Sequence, residues 1–223
     1  MDSVLEVSNL RPHTAVSPTR DRVILSKGHG AMAYYAALKE WGMLSEESFR
    51  GYGEEGAALW GHVSKSNCAP AIDYSTGSLG HGLALSAGHA LGYRLQGNQS
   101  RIFCILSDGE CNEGSTWEAA LFVGHHRLKN LTVLIDANGL QGLDECSRVI
   151  DLEPFAEKWR SFRFEVRDLD GHNWKDLVKA LRTPSDGPRV LICRTVKGRG
   201  IPGMENKVAS HYLSARVEDL ERG

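Results

Sequence analysis

An aspartate at the end of one apolar run and an asparagine at the end of the next are the residues of this chain best suited to hold a metal ion. Asp108 lies in the block Ser107-Asp108-Gly109-Glu110-Cys111-Asn112-Glu113-Gly114, directly after Ile102-Phe103-Cys104-Ile105-Leu106. Asn138 lies thirty positions further on, just beyond Leu131-Thr132-Val133-Leu134-Ile135. Short, continuous apolar runs read as fully buried strands. Two parallel strands joined by a helix would set Asp108 and Asn138 side by side at the carboxyl edge of a sheet, where open α/β sheets bind ligands. A carboxylate, an amide oxygen and a backbone carbonyl are hard donors, suited to magnesium or calcium gripping a diphosphate. Asp-Gly and Asn-Gly alone are ordinary turn pairs. The buried strands ahead of both give this pair its meaning.

Further candidates surround that pair. Gly77-Ser78-Leu79-Gly80-His81-Gly82 is a glycine-rich turn opening a helix, where backbone amides can approach an anion and the helix dipole favours it. His29, His62 and His211 stand beside glycine or in loops, where neutral imidazole can bond phosphate or sugar oxygens or move protons near neutral pH. Glu113 fits the first turn of a helix, where negative charge suits the dipole. His125-His126 and Asp170-Gly171-His172 lack a carboxylate partner at ligand spacing and read as structural. The five cysteines are an odd number without a C-x-x-C pair, so disulfides and structural zinc are poorly supported. Cys104 and Cys193 read as core residues, and Cys111 beside the metal block is the one candidate reactive thiol.

The elements that must position these groups alternate between strand and helix. Strands are expected at 21–26, 102–107, 131–136, 162–166 and 190–193. Helices are expected at 31–41, from the glycine turn to about 96, at about 116–128, and at 174–181. Residues 51–70 read as a long loop, a length that often carries function. The alternation predicts an α/β fold with a parallel sheet covered by helices on both faces. Residues 1–20 read as an irregular lead-in, and 21–223 as a single domain.

Composition excludes several classes. The 223 residues are 41% hydrophobic and 24% charged with a formal charge of −2, which describes an ordinary globular protein and gives no electrostatic reason to expect nucleic acid or anionic membrane. No apolar segment approaches the roughly 20 residues needed to span a bilayer. The acidic N-terminus does not read as a signal peptide, so the expected location is cytoplasmic.

Together these blocks resemble the thiamine-diphosphate enzymes of the transketolase type, specifically the separate N-terminal subunit of two-chain transketolases. The likeness runs from about Asp21 to His211. It includes Val23 to Gly30, Ser75 to Gly80, Asp108-Gly109-Glu110 with Glu113-Gly114, Asn138 to Gln141, Leu152-Glu153-Pro154, Asp170-Gly171-His172 and Thr195 to Gly198. The resemblance implies a thiamine-diphosphate-binding fold of the PP type, holding the diphosphate end of the cofactor. It implies Asp108, Asn138 and the Leu140 carbonyl as ligands of Mg2+ or Ca2+, with Gly77, Ser78, Leu79, Gly109, Glu110, Glu113 and Asn138 around the cofactor. His29, His62 and His211 would line the channel shared by cofactor and sugar.

In such enzymes the glutamate that activates the aminopyrimidine comes from another domain, and only twelve residues follow His211. A C-terminal, pyrimidine-binding partner subunit is therefore expected, assembled as a heterotetramer. The implied reaction moves a two-carbon ketol unit from a ketose or ketose phosphate to an aldehyde. Three departures from the family pattern stand out: Ser107 replaces a usual glycine, His81 a common glutamine, and an N-terminal segment with a Gly-His-Pro motif is missing. They point to a specialised biosynthetic role. The alternatives are a thiamine-diphosphate-dependent component of a 2-oxo acid decarboxylase or dehydrogenase, and a non-catalytic scaffold subunit.

Overall fold

Side chains of successive strand residues point to opposite faces, and in this chain both faces of every inner strand are apolar. Such strands must be covered on both sides, which is the condition for an all-parallel sheet. The computed structural model describes residues 1–66, 68–213 and 215. Its elements run α1 (Asp2–Val7), β1 (Arg22–Leu25), α2 (Ala31–Glu40), α3 (Glu46–Arg50), α4 (Gly82–Leu95), β2 (Ile102–Ser107) and α5 (Gly114–His125). There follow β3 (Leu131–Ala137), α6 (Cys146–Val149), α7 (Phe155–Ser161), β4 (Glu165–Asp170), α8 (Trp174–Arg182) and β5 (Arg189–Arg194). The five strands form one parallel sheet in the order β1-β2-β3-β5-β4.

One face of the sheet buries Val23, Leu25, Phe103, Leu134 and Leu191 against α1, α2 and α8. The other buries Ile24, Cys104, Leu106, Val133, Ile135 and Ile192 against α4, α5 and α7. The alternation of Ile24 with Val23 and Leu25 is the pleat seen in side chains. In register, Ser107 lies opposite Asp136, and Ala137 opposite Arg194. The carboxyl ends of the three central strands therefore finish together, and the loops leaving them share one edge.

The expected α/β architecture with helices on both faces is the observed one, and three expectations need correction. Residues 1–20 are not irregular. They hold α1, whose Val4 and Leu5 are fully buried, and a 3-10 turn at Pro12–Thr14. Arg20 is also buried and donates to the carbonyls of Ala15 and Asp21 and to Asp73. The short helix escaped a periodicity reading because six residues cannot show a repeat, and its stability comes from packing, not propensity.

The strand expected at 162–166 starts instead at Glu165. Arg163 has a positive φ and Phe164 plugs the core beneath α7, so the apolar residues at 162–164 are packing, not ladder. Helices α3, α6 and α7 were not anticipated; they are short and begin in polar segments. Among the described residues no helix is long and apolar enough to cross a membrane.

Leu5→Ala should lower unfolding stability by about 2–5 kcal/mol, the cost of emptying a buried leucine site. Urea denaturation of the variant checks this. A loss below about 0.5 kcal/mol, the size of a neutral surface change, would return residues 1–20 to the status of a lead-in.

Candidate cofactor site

Three loops leaving strand ends meet at one buried carboxylate. Glu110, in the 3-10 turn after β2, is fully buried. Its Oε1 accepts from the Ser26 hydroxyl after β1 and from the Gly80 amide at 2.8 Å, while Oε2 accepts from the Ser107 amide at 3.4 Å. Ser26 Oγ in turn accepts from the Gly82 amide, 3.0 Å away at the start of α4. Burial raises the Glu110 carboxyl above its ordinary value, opposed by these donors and by Lys27. The glycine turn is shaped for this approach: Gly80 has φ +83°, and a Cβ there would lie 2.8 Å from the Glu113 Cβ. Glu110 therefore faces inward and ties the loops together, whereas the resemblance had placed it around the cofactor.

On this frame the donor residues come together. Asp108 is 5% exposed, with Oδ1 accepting from the Gly109 amide at 2.8 Å and Oδ2 from the Gly139 amide at 2.6 Å. Gly139 takes φ +76°, the left-handed turn that folds the loop after β3 back over Asp108. Asn138 Oδ1 accepts from the Leu140 amide at 3.0 Å. Burial pushes the Asp108 carboxyl up, two backbone amides pull it down, and nearby Asp136 pushes it up again. A carboxylate in that state is suited to a cation. The donors Asp108, Asn138 and the Leu140 carbonyl are all oxygens, as a hard divalent ion requires. Among the described residues no group of three His, Cys, Asp or Glu side chains could hold a metal, so any ion here would depend on amide and backbone oxygens.

A cavity of about 130 Å³ is lined by Lys27, His29, Leu79, Ser107, Gly109, Asn138, Leu140, Gln141, Gly142, Lys197 and His211. It brings together His29, Leu79, Gly109, Asn138, Leu140 and His211, all singled out from sequence. Asp108 opens onto a neighbouring cavity of about 160 Å³ with Gly139, Cys146 and Arg194. Gly77 and Ser78 stand behind this wall, where Gly28 presses so closely on Thr76 and Gly77 that a Cβ would meet the Thr76 carbonyl at 2.2 Å. His62 is exposed, and its ring packs beside Gly77. Glu113 is exposed at the start of α5, outside the cavity.

The His29 and His211 rings lie 5.4 Å apart. His29 is drawn down to about 4, first by loss of water around the ring, then by Lys27, His211 and Lys197. His211 is lowered by partial burial and then by Lys197 and Lys27. Both imidazoles are therefore neutral at pH 7, each able to donate at one nitrogen and accept at the other. Positive charge is left to the lysines. Lys27 is spent on Asp136, at 2.5 Å. Lys197 makes no ion pair among the described residues, and its own pKa is lowered by burial and then by Lys27. An uncompensated ammonium beside a cavity floored by backbone amides fits an anionic diphosphate.

Lys197 was not singled out from sequence, although it sits in the Thr195-Val196-Lys197-Gly198 block. A basic residue directly after a buried strand was the signal. Asp136 was missed because it reads as part of its strand. Burial drives Asp136 up, but Lys27, Thr195 and Asn138 outweigh it and hold the carboxyl below the usual range. His125 and His126 end α5 away from the cavity, and His172 accepts the Val196 amide at 2.8 Å, a structural bond. Cys111 is fully buried with its thiol pushed far up by burial, so the candidate reactive thiol is inert.

A family model described as "Transketolase, thiamine diphosphate binding domain" matches residues 5–221. The chain belongs to that family. It is 35% identical over 217 residues to one of the separate subunits of an apulose-4-phosphate transketolase from Actinobacillus succinogenes, covering 96% of this chain and 78% of that protein. It is 37% identical over 221 residues to "6-deoxy-6-sulfo-D-fructose transketolase subunit SqwG" of a Clostridium species, covering 95% and 80%.

The crystal structure of Campylobacter jejuni transketolase superposes with a TM-score of 0.86 at 26% identity, over 94% of this chain. This transketolase-family chain spans only about a third of that solved structure, 34% of its length. A Pichia stipitis transketolase reaches 0.88 at 20% identity, a likeness of fold alone. The family resemblance carried by the motifs and the α/β fold expected from the alternation are both borne out.

Two outcomes are expected. Glu110→Ala leaves two backbone amides and the Ser26 hydroxyl without their acceptor, a loss of about 2–5 kcal/mol readable by urea denaturation. In NMR titration the His29 ring should protonate only near pH 4, and Lys197→Met should raise that value by removing a positive neighbour. Because the folded pKa lies below the unfolded value of 6.5, the stability this group contributes is present above pH 6.5 and fades as pH falls toward 4. A His29 titration at its ordinary value would overturn the reading of the cavity's charge.

Proposed function

We propose that this chain is the cofactor-binding subunit of a two-chain transketolase-like enzyme. Thiamine diphosphate and a divalent ion, Mg2+ or Ca2+, rest against the edge described above. A separate C-terminal, pyrimidine-binding subunit closes the site, in an assembly of two such pairs. The reaction moves a two-carbon ketol unit from a ketose or ketose phosphate to an aldehyde. The observation that carries this reading is the all-oxygen donor set of Asp108, Asn138 and Leu140 beside the uncompensated Lys197. Relatives named as individual transketolase subunits support the separate partner, and their names, which specify apulose-4-phosphate and 6-deoxy-6-sulfo-D-fructose, support a specialised sugar substrate.

The residues divide the work. Asp108, Asn138 and the Leu140 carbonyl would hold the ion. Lys197 would hold the diphosphate's charge, with Gly109 and the Gly77-Ser78-Leu79 turn leaving room for its oxygens. Neutral His29 and His211 would orient sugar hydroxyls and move a proton at a ring nitrogen, with His62 at the outer rim. When bound, thiamine diphosphate supplies the carbon nucleophile that breaks and makes the carbon–carbon bond.

The test is two-carbon transfer from a ketose phosphate to an aldehyde, using the chain purified with its partner, with cofactor and Mg2+ added or withheld. Transfer should need all four. Asp108→Ala should abolish metal-dependent cofactor binding in calorimetry while leaving the circular dichroism spectrum unchanged. Cofactor bound without transfer would shift the donor to a 2-oxo acid; neither binding nor transfer would favour a scaffold role.

A further inference from the structure

Three strand ends converge on one carboxylate beside the metal donors. Lys27, two residues past β1, reaches across the end of β2 and places Nζ 2.5 Å from Asp136 Oδ2. Thr195, directly after β5, donates from Oγ1 to Asp136 Oδ1. The Asn138 amide faces the same carboxylate. The Asp136 carboxylate can only accept, so the amide must turn its NH2 toward it. That leaves Asn138 Oδ1 on the far side, where it accepts the Leu140 amide at 3.0 Å.

We propose that Lys27 is a positioning residue for the metal site: its ion pair with Asp136 fixes which way the Asn138 amide points and keeps Asp136 from ligating the ion. This rests on the cofactor reading above. The Lys27 side chain is 14% exposed and Asp136 31%, so the pair is shielded enough to act as a fixed charge. Without the ammonium, Asp136 becomes a second free acid near Asp108. A hard cation recruits such an oxygen readily, and the Asn138 amide loses the acceptor that orients it. Groups that orient metal ligands from behind typically contribute about 10–100-fold to metal affinity.

Lys27 also lines the cavity, so a direct contact with the diphosphate is the rival role, and a double-mutant cycle separates the two. In the complex with its partner, Mg2+-dependent binding of thiamine diphosphate is followed by calorimetry at fixed cofactor concentration. Lys27→Met should weaken apparent Mg2+ affinity by about 10–100-fold. In the Asp136→Asn background the same change should cost less than about threefold, since there is no charge left to restrain. Thr195→Val, which leaves the lysine in place, should weaken Mg2+ affinity in the same direction, and it keeps the test available if Lys27→Met fails to fold. An equal loss in both backgrounds would make Lys27 a direct cofactor ligand and overturn the proposal, as would unchanged affinity in Lys27→Met. A wild-type complex that binds no cofactor with Mg2+ would overturn the functional reading and this inference together.

Discussion

The buried Glu110 carboxylate is the constraint on which the site depends. A charge removed from water is tolerated only when donors replace its hydration. Here those donors come from three loops: Ser26 after β1, Gly80 before α4 and Ser107 at the end of β2. Satisfying one carboxylate therefore fixes the glycine turn against both strand ends. The turn brings Leu79 to the cavity wall, and Ser26 holds the chain that carries Lys27 and His29. The geometry of the site follows from making one buried acid acceptable.

The charges of the edge then sort themselves by pairing. Glu110 is internal, Asp136 is occupied by Lys27 and Thr195, and Asp108 has only two backbone amides. The acid least compensated is Asp108, and the cation least compensated is Lys197. An edge with one unsatisfied negative and one unsatisfied positive position is arranged for a cation and an anion bound together. The low pKa values of the histidines are the other side of this. Positive lysines already crowd the cavity, so a charged imidazole would cost more there than a neutral one.

Much of this was legible in the sequence because it lies in strand ends. Asp108, Asn138 and the glycine turn could be located once the apolar runs fixed the strands and the parallel order fixed the edge. What escaped depends on side-chain direction across the sheet. Glu110 and Glu113 are both acids in one block, yet one turns into the core and the other into solvent, and spacing does not distinguish them. Asp136 pairs with a lysine 109 positions away, a contact no local pattern encodes. The helix at Asp2–Val7 was hidden because six residues show no period and its burial comes from packing on α8, reinforced by the Arg182–Glu6 ion pair.

The same accounting bears on what the site lacks. Among the described residues no carboxylate lines the cavity that holds His29, Leu79 and Lys197. Glu110 cannot turn outward without stranding its donors, and Glu113 projects from α5 into solvent. The titratable groups facing the cavity are two neutral imidazoles and two ammoniums. Such a set can bind an anion and orient hydroxyls, but it offers no carboxyl group to protonate or deprotonate a ring nitrogen. Chemistry that needs one must receive it from a surface outside the described residues, and the open carboxyl edge is where such a surface would be placed. A partner that closes this edge would therefore supply an acid, and its docking would also remove water from the lysines, strengthening their hold on the diphosphate.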